Sequence, residues 1–366
     1  MRAPSPILRF PWFNIDGLLK RFHDPAPASA QDPPRIGLVL SCGGARGLAH
    51  IGVIQVLEEA QIPISVIMGS SMGAYVGTLW AAGVPGEELA KLASEIRDRR
   101  TLIRLLDLAV PPLQGFLRGH KVRKHLERTL GEKTLGDLAT RMHVVATNLD
   151  TVRGEVLPPT TPAAAAVQAS CAIPGIVSPV YLNEARWIDG GAAEPLPVEL
   201  LHKVADLDYI IAVNVMPTLE DISSSKMQSY PIPPPIPSSM VSRFFGSLSR
   251  NLNLFAYGNV LDTFKRCLTS SQLRVIEHEG ARADVLIHPF CQESRWYDFE
   301  NFNRYIESGR TAALEALPQI RKLLQIPRSA APSPSEQPPR PGVVLGPNDE
   351  QAGYAVAAAA EGGQPQ

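Results

Sequence analysis

Twice between residues 35 and 83, a short apolar block runs into a glycine-rich turn and then into a stretch with apolar residues at helical spacing. RIGLVLS, CGGARG and LAHIGVIQVLEEA come first; ISVIM, GSSMG and AYVGTLWAAG follow. Ile36, Leu38, Val39 and Leu40 form an apolar block with no polar alternation, the pattern of a strand buried on both faces. Strand, glycine turn, helix, repeated, predicts an α/β fold with a mostly parallel sheet. In such a sheet the two turns emerge at the same edge, so GGARG at 43–47 and GSSMG at 69–73 can approach each other.

The remaining pattern extends this frame. Strands are expected at 142–147, 208–215 and 284–288, and helices at 86–106, 119–130 and 302–325. SSSKMQSYPIPPPIPSS is too rich in proline to join a core element and reads as a surface excursion near 223–239. Residues 240–266 alternate apolar and polar groups in a helix-compatible way, suited to a lid, a lipid-facing surface or a contact in a homo-oligomer. From 328 to 366 Pro, Ala, Gly, Ser and Gln dominate, the composition of a disordered tail. The expected organisation is an N-terminal arm at 1–34, one folded domain at 35–325 and that tail.

Charge and cysteine usage exclude several function classes. Lys and Arg total 35 against 36 acidic residues, a net charge of -1, so no overall field draws the chain to nucleic acid. Cys42, Cys171, Cys267 and Cys291 show no CxxC or close Cys/His spacing, so no metal site and no cofactor is expected, and the reading is a reduced, cytoplasmic protein. No apolar run is long enough for a transmembrane helix. The stretch SPILRFPWFNIDGLLKRF offers Phe10, Trp12, Phe13, Leu18 and Leu19 as anchors for peripheral contact with the inner membrane face, or as an arm over its own domain.

GSSMG fits G-x-S-x-G, in which a sharp strand-to-helix bend exposes the central hydroxyl. A serine nucleophile also needs a base and donors aimed at the developing oxyanion. Gly43 and Gly44 would let consecutive N–H groups point inward; the same turn could cradle a phosphate, although neither phosphate-binding glycine fingerprint is matched. Arg46 suits either an anionic substrate group or a structural ion pair. For the base, His278 lies in polar EHEG and His288 follows DVLI, and neither stands out. RWIDGG places Asp189 on a tight, exposed turn, where a bound acyl chain would raise its pKa by desolvation. Histidine-dependent hydrolysis of small esters and a non-catalytic scaffold both remain open on the residues alone.

Four ordered blocks carry a resemblance: 35–83, VVATNLDTVRGEVL, QASCAIPGIVSPVYLNEARWIDGGAAEPLPV and ADVLIHP. The chain resembles the patatin-like phospholipase family, specifically bacterial members related to the catalytic domain of neuropathy target esterase. The resemblance implies a three-layer α/β/α fold with a mostly parallel central sheet and a Ser-Asp dyad. It places the nucleophile on Ser71 between Gly69 and Gly73, the catalytic aspartate on Asp189, and the oxyanion hole on Gly43, Gly44, Ala45, Arg46 and Gly47. It implies hydrolysis of carboxylic esters in phospholipids or lysophospholipids without metal or histidine. Two features depart from the pattern: Cys42 stands where the family's motif usually begins with another glycine, and the proline-rich excursion is longer than a minimal domain requires.

Overall fold

The computed structural model describes residues 34–96, 107, 109, 114–223, 260–291, 294 and 297–325. The N-terminal arm, the proline-rich excursion from 224 on, most of the amphipathic segment that follows it and the tail lie outside the described residues. Backbone contacts divide the chain between Ile320 and Arg321, and of the second unit only 321–325 are described.

The two opening repeats fold as their pattern predicts. Strand β1 (Ile36–Leu40) passes through a 3-10 turn (Gly44–Leu48) into helix α1 (Ala49–Glu59), and β2 (Ile64–Ser70) bends at Ser71 into α2 (Met72–Ala81). Helix α3 (Gly86–Ile96) begins where expected; the remainder of that expectation, to 106, falls largely outside the described residues. Helix α4 (His120–Leu130) and strand β3 (Arg141–Asn148) also match.

Beyond β3 come β4 (Arg153–Val156), α5 (Ala163–Ser170), β5 (Val180–Leu182), β6 (Ala185–Asp189) and α6 (Val198–Val204). They are followed by β7 (Tyr209–Val213), α7 (Leu219–Ser223), α8 (Val260–Gly280), β8 (Val285–Ile287) and α9 (Phe302–Leu324). Among the described residues no helix is long and apolar enough to cross a membrane.

Among the described residues, eight strands form one mixed sheet, hydrogen-bonded in the order β5-β6-β3-β2-β1-β7-β8 with β4 also on β3. The central strands β3, β2, β1, β7 and β8 run parallel. Leu38, Val39, Leu40, Ile67 and Met68 are fully buried, which is why they read as continuous apolar blocks. Helices cover both faces: Gly77 of α2 lies over Leu40, Ile67 and Met142, whereas Val39, Met68 and Val145 pack with Val198 and Leu201 of α6 and Ile276 of α8. The result is helix, sheet and helix in three layers, and the fold is α/β with a mostly parallel sheet.

The register around β3 positions the site. Val145 has Ser70 and Val156 as partners, and Ala146 has Glu155 and Asp189. A strand residue has one neighbour on each side, so β4 fills one edge of β3 while β2 and the antiparallel β6 share the other. They meet end to end: Ser70 sits opposite Val145, and Asp189 opposite the very next residue. Neither strand can continue, because about 3.3 Å of rise per residue leaves no ladder position between them. The contact is close enough that a methyl group on Gly190 would overlap the Val145 carbonyl oxygen.

Candidate active site

Ser71 is the residue at which β2 leaves the sheet. Its backbone has φ 53 and ψ -120, a conformation that L-residues seldom adopt and that costs on the order of 1–3 kcal/mol. Both flanking glycines are required by close approach. A Cβ on Gly69 would come within 2.6 Å of the Gly73 backbone, and one on Gly73 would overlap the Leu40 carbonyl. Ser71 caps α2 at its N-terminal end, where unpaired N–H groups create a positive potential. The Ser71 hydroxyl donates a 2.5 Å hydrogen bond to Asp189 Oδ2, and its N–H donates to Ser170 Oγ at 2.9 Å.

Asp189 ends β6, and its position corrects the expectation of an exposed turn: the residue is only 7% exposed. The Asp-Gly-Gly turn is tight, as a 3-10 turn over Gly190–Ala192, but it folds under neighbouring loops rather than into solvent. Gly191 N–H donates to Asp189 Oδ1 at 2.8 Å, so each carboxylate oxygen accepts one bond. The Asp189 N–H donates to the Ala172 carbonyl, and its own carbonyl accepts from Thr147 Oγ1, both at 2.9 Å. Gln272 Nε2 holds the Gly191 carbonyl at 2.7 Å from α8. Burial pushes the Asp189 carboxyl up to about 6, outweighing the opposing hydrogen bonds from Ser71 and Gly191. The desolvation assigned above to a bound acyl chain is thus already supplied by the protein.

The glycine turn stands beside this pair. Gly44 has φ 58, a left-handed value that glycine adopts freely. A Cβ on Gly47 would strike Met72, the residue after Ser71, so the turn packs directly on the head of α2. Cys42 is buried, its N–H donates to the Pro195 carbonyl at 2.9 Å, and its side chain packs against Gly191. A Cβ on Gly191 would lie 2.7 Å from Cys42 Sγ, so the second glycine of Asp-Gly-Gly makes room for the cysteine side chain. The Arg46 guanidinium bonds to an uncharged residue: Nε donates to Ser294 Oγ and a terminal nitrogen to the Ser294 carbonyl, each at 2.8 Å.

Neither candidate histidine is brought to Ser71. His288 is engaged at both ring nitrogens, with Nδ1 2.8 Å from the Asn214 carbonyl and Nε2 2.8 Å from Asp221 Oδ2. His278 lies 3.5 Å from Glu279. A histidine that the sequence reading passed over, His50, is fully buried in α1 and places Nε2 2.9 Å from the Ser41 carbonyl. Burial pushes it down to about 4, so the ring is neutral at pH 7 and Nε2 carries the proton it donates. Its signal was a polar ring within the mostly apolar stretch LAHIGVIQVL. Ser170, Thr147 and Gln272 were also missed, since hydroxyls and amides carry no periodic mark.

Residues 38–202 match the model of the patatin-like phospholipase family. Over that stretch the chain is similar to this family. An uncharacterized NTE family protein of Mycobacterium tuberculosis is 39% identical over 195 residues, covering 52% of this chain and 53% of that protein. A lysophospholipase NTE1 of Pyricularia oryzae is 32% identical over 189 residues, 51% of this chain and 12% of that much longer protein. The chain therefore spans about half the length of the mycobacterial relative. Among solved structures, VipD from Legionella pneumophila aligns over 80% of this chain and 67% of its own, with a TM-score of 0.43 and 16% identity. The patatin-like segment contains both Ser71 and Asp189.

Proposed function

We propose that this patatin-like chain is a serine esterase that cleaves carboxylic esters of phospholipids or lysophospholipids. The observation that carries the reading is the 2.5 Å Ser71–Asp189 hydrogen bond made by a strained strand-end serine to a buried carboxylate. Ser71 is the nucleophile and Asp189 its base. As Oγ attacks the ester carbonyl carbon, its proton passes to Asp189 Oδ2 and the carbonyl oxygen becomes negative. The N–H groups of 43–47, with the head of α2, are assigned to stabilise that charge.

Collapse of the tetrahedral intermediate breaks the bond to the alkoxy oxygen, and Asp189 returns the proton to the leaving alcohol. Water then gives a proton to Asp189 and attacks the acyl-serine; the proton returns to Ser71 as the fatty acid departs. The fungal relative's name, lysophospholipase, supports a lipid ester as substrate. Peripheral contact through the apolar N-terminal stretch 7–22 would bring the site to a lipid surface.

The test is mass-spectrometric mapping of a fluorophosphonate adduct, run with lysophospholipid competition and beside Ser71→Ala and Asp189→Asn. The expected result is a single adduct on Ser71 that lysophospholipid suppresses, with turnover at least 10³-fold lower in either variant, about the weight of a nucleophile or its base. Wild-type turnover in Ser71→Ala would overturn the reading.

A further inference from the structure

The dyad depends on two strand ends meeting at one point, and three consecutive residues at the end of α5 touch both. Ser170 is fully buried; its Oγ accepts the Ser71 N–H at 2.9 Å and donates to the Val145 carbonyl at 2.6 Å. Cys171 lies against the Ser71 hydroxyl, and burial together with the nearby Asp189 carboxylate pushes its thiol up. The Ala172 carbonyl accepts the Asp189 N–H at 2.9 Å. One short segment thus holds the nucleophile's amide and the base's amide at once.

Val145 is the β3 residue opposite Ser70, and Ala146, the next one, is opposite Asp189. At that junction the β2–β3 ladder stops, and the Ser71 N–H and the Val145 carbonyl each bond to the Ser170 hydroxyl. The Ser170 hydroxyl bridges them, one lone pair taking the N–H and its proton going to the carbonyl. Without it two buried backbone groups lose their partner where the backbone is already strained at φ 53.

We infer that Ser170 is a positioning residue that fixes the nucleophile elbow, with 170–172 setting the spacing between Ser71 and Asp189. This rests on the esterase reading above for its catalytic consequence, but not for its structural one. Ser71 can reach Asp189 at 2.5 Å only while its backbone keeps this unusual conformation. Losing the bridge lets the elbow relax, and small displacements of a reacting group cost about 10²-fold.

The experiment compares Ser170→Ala, Ser170→Thr and Ala166→Gly, the last weakening α5 while keeping the Ser170 hydroxyl. Each is assayed for kcat and KM on a lysophospholipid, for its rate of fluorophosphonate labelling, and for amide hydrogen exchange of the peptide carrying Ser71. Ser170→Ala is expected to lower kcat and labelling by about 10- to 100-fold with KM within about twofold, and to speed exchange at Ser71. Ser170→Thr, which retains the hydroxyl, recovers most of both, and Ala166→Gly changes neither. Unchanged exchange at Ser71 in folded Ser170→Ala overturns the inference, as does a wild-type kcat. A wild-type protein that is folded but never labelled overturns the esterase reading instead, and exchange at Ser71 still decides the role of Ser170.

Discussion

Asp189 carries its own desolvation, and this has opposite consequences for activity and stability. Its carboxyl sits at about 6 in the folded chain against an ordinary value of 3.8. Below about pH 4 it is protonated in both the folded and unfolded states and costs nothing; between 4 and 6 the unfolded chain ionises first, so stability falls. Above 6 the full penalty, about 3 kcal/mol for a shift of this size, is in place. Asp189→Asn should therefore raise Tm at pH 7.5, with the gain fading toward pH 4, in thermal scans at both values. Esterase activity should run the other way, with kcat/KM of the wild type rising about tenfold per pH unit up to 6 and flattening above. On the esterase reading, this destabilisation is what lets a carboxylate of ordinary pKa near 4 serve as the base.

At the scale of elements, the site rests on helices and strands packed closer than side chains allow. Helices α1 and α9 cross where a methyl on Gly52 would overlap the Ile306 carbonyl oxygen and one on Gly309 would overlap that of Ala49. Gly52→Ala should destabilise the chain by about 1–3 kcal/mol, the usual cost of overpacking, or more if the helices cannot separate, read as a lower midpoint in urea. Because α1 also carries His50 against the Ser41 carbonyl, some loss of esterase activity should accompany it. The parallel strands and their helices were legible in the sequence, because burial on both faces imposes unbroken apolar blocks. The short strands β4, β5 and β6 were not: Arg153–Val156 and Val180–Leu182 are too short and too exposed to show a pattern.

For the whole molecule, the esterase reading requires the active site to meet an insoluble substrate. The net charge of -1 gives little electrostatic attraction to anionic lipid, which leaves apolar insertion. A Trp12→Ala/Phe13→Ala double variant should float with liposomes several-fold less than wild type while keeping its activity on a short-chain soluble ester. Equal flotation of the two proteins would discard the N-terminal stretch as the anchor. The family segment at 38–202 leaves β7, β8, α8 and α9 outside it, yet β7 lies directly against β1 and α8 reaches back to the Gly191 carbonyl. The chain beyond the family segment thus supports the site as well as extending it.

Residue identity alone marked Ser71 between its two glycines, Asp189 before its own pair, and the glycine turn, because each needs a backbone conformation or a close approach that few residue types permit. It also pointed to the parallel core of the sheet, since apolar blocks separated by helices favour crossover connections. Only the tertiary structure decided that β2 and the antiparallel β6 share one edge of β3 and stop against each other. That collision forces Ser71 out of the ladder, buries Asp189 beside it and creates the gap that the Ser170 hydroxyl bridges. Such a meeting depends on register between segments more than a hundred residues apart, and register is set by packing across the sheet, which local pattern does not record.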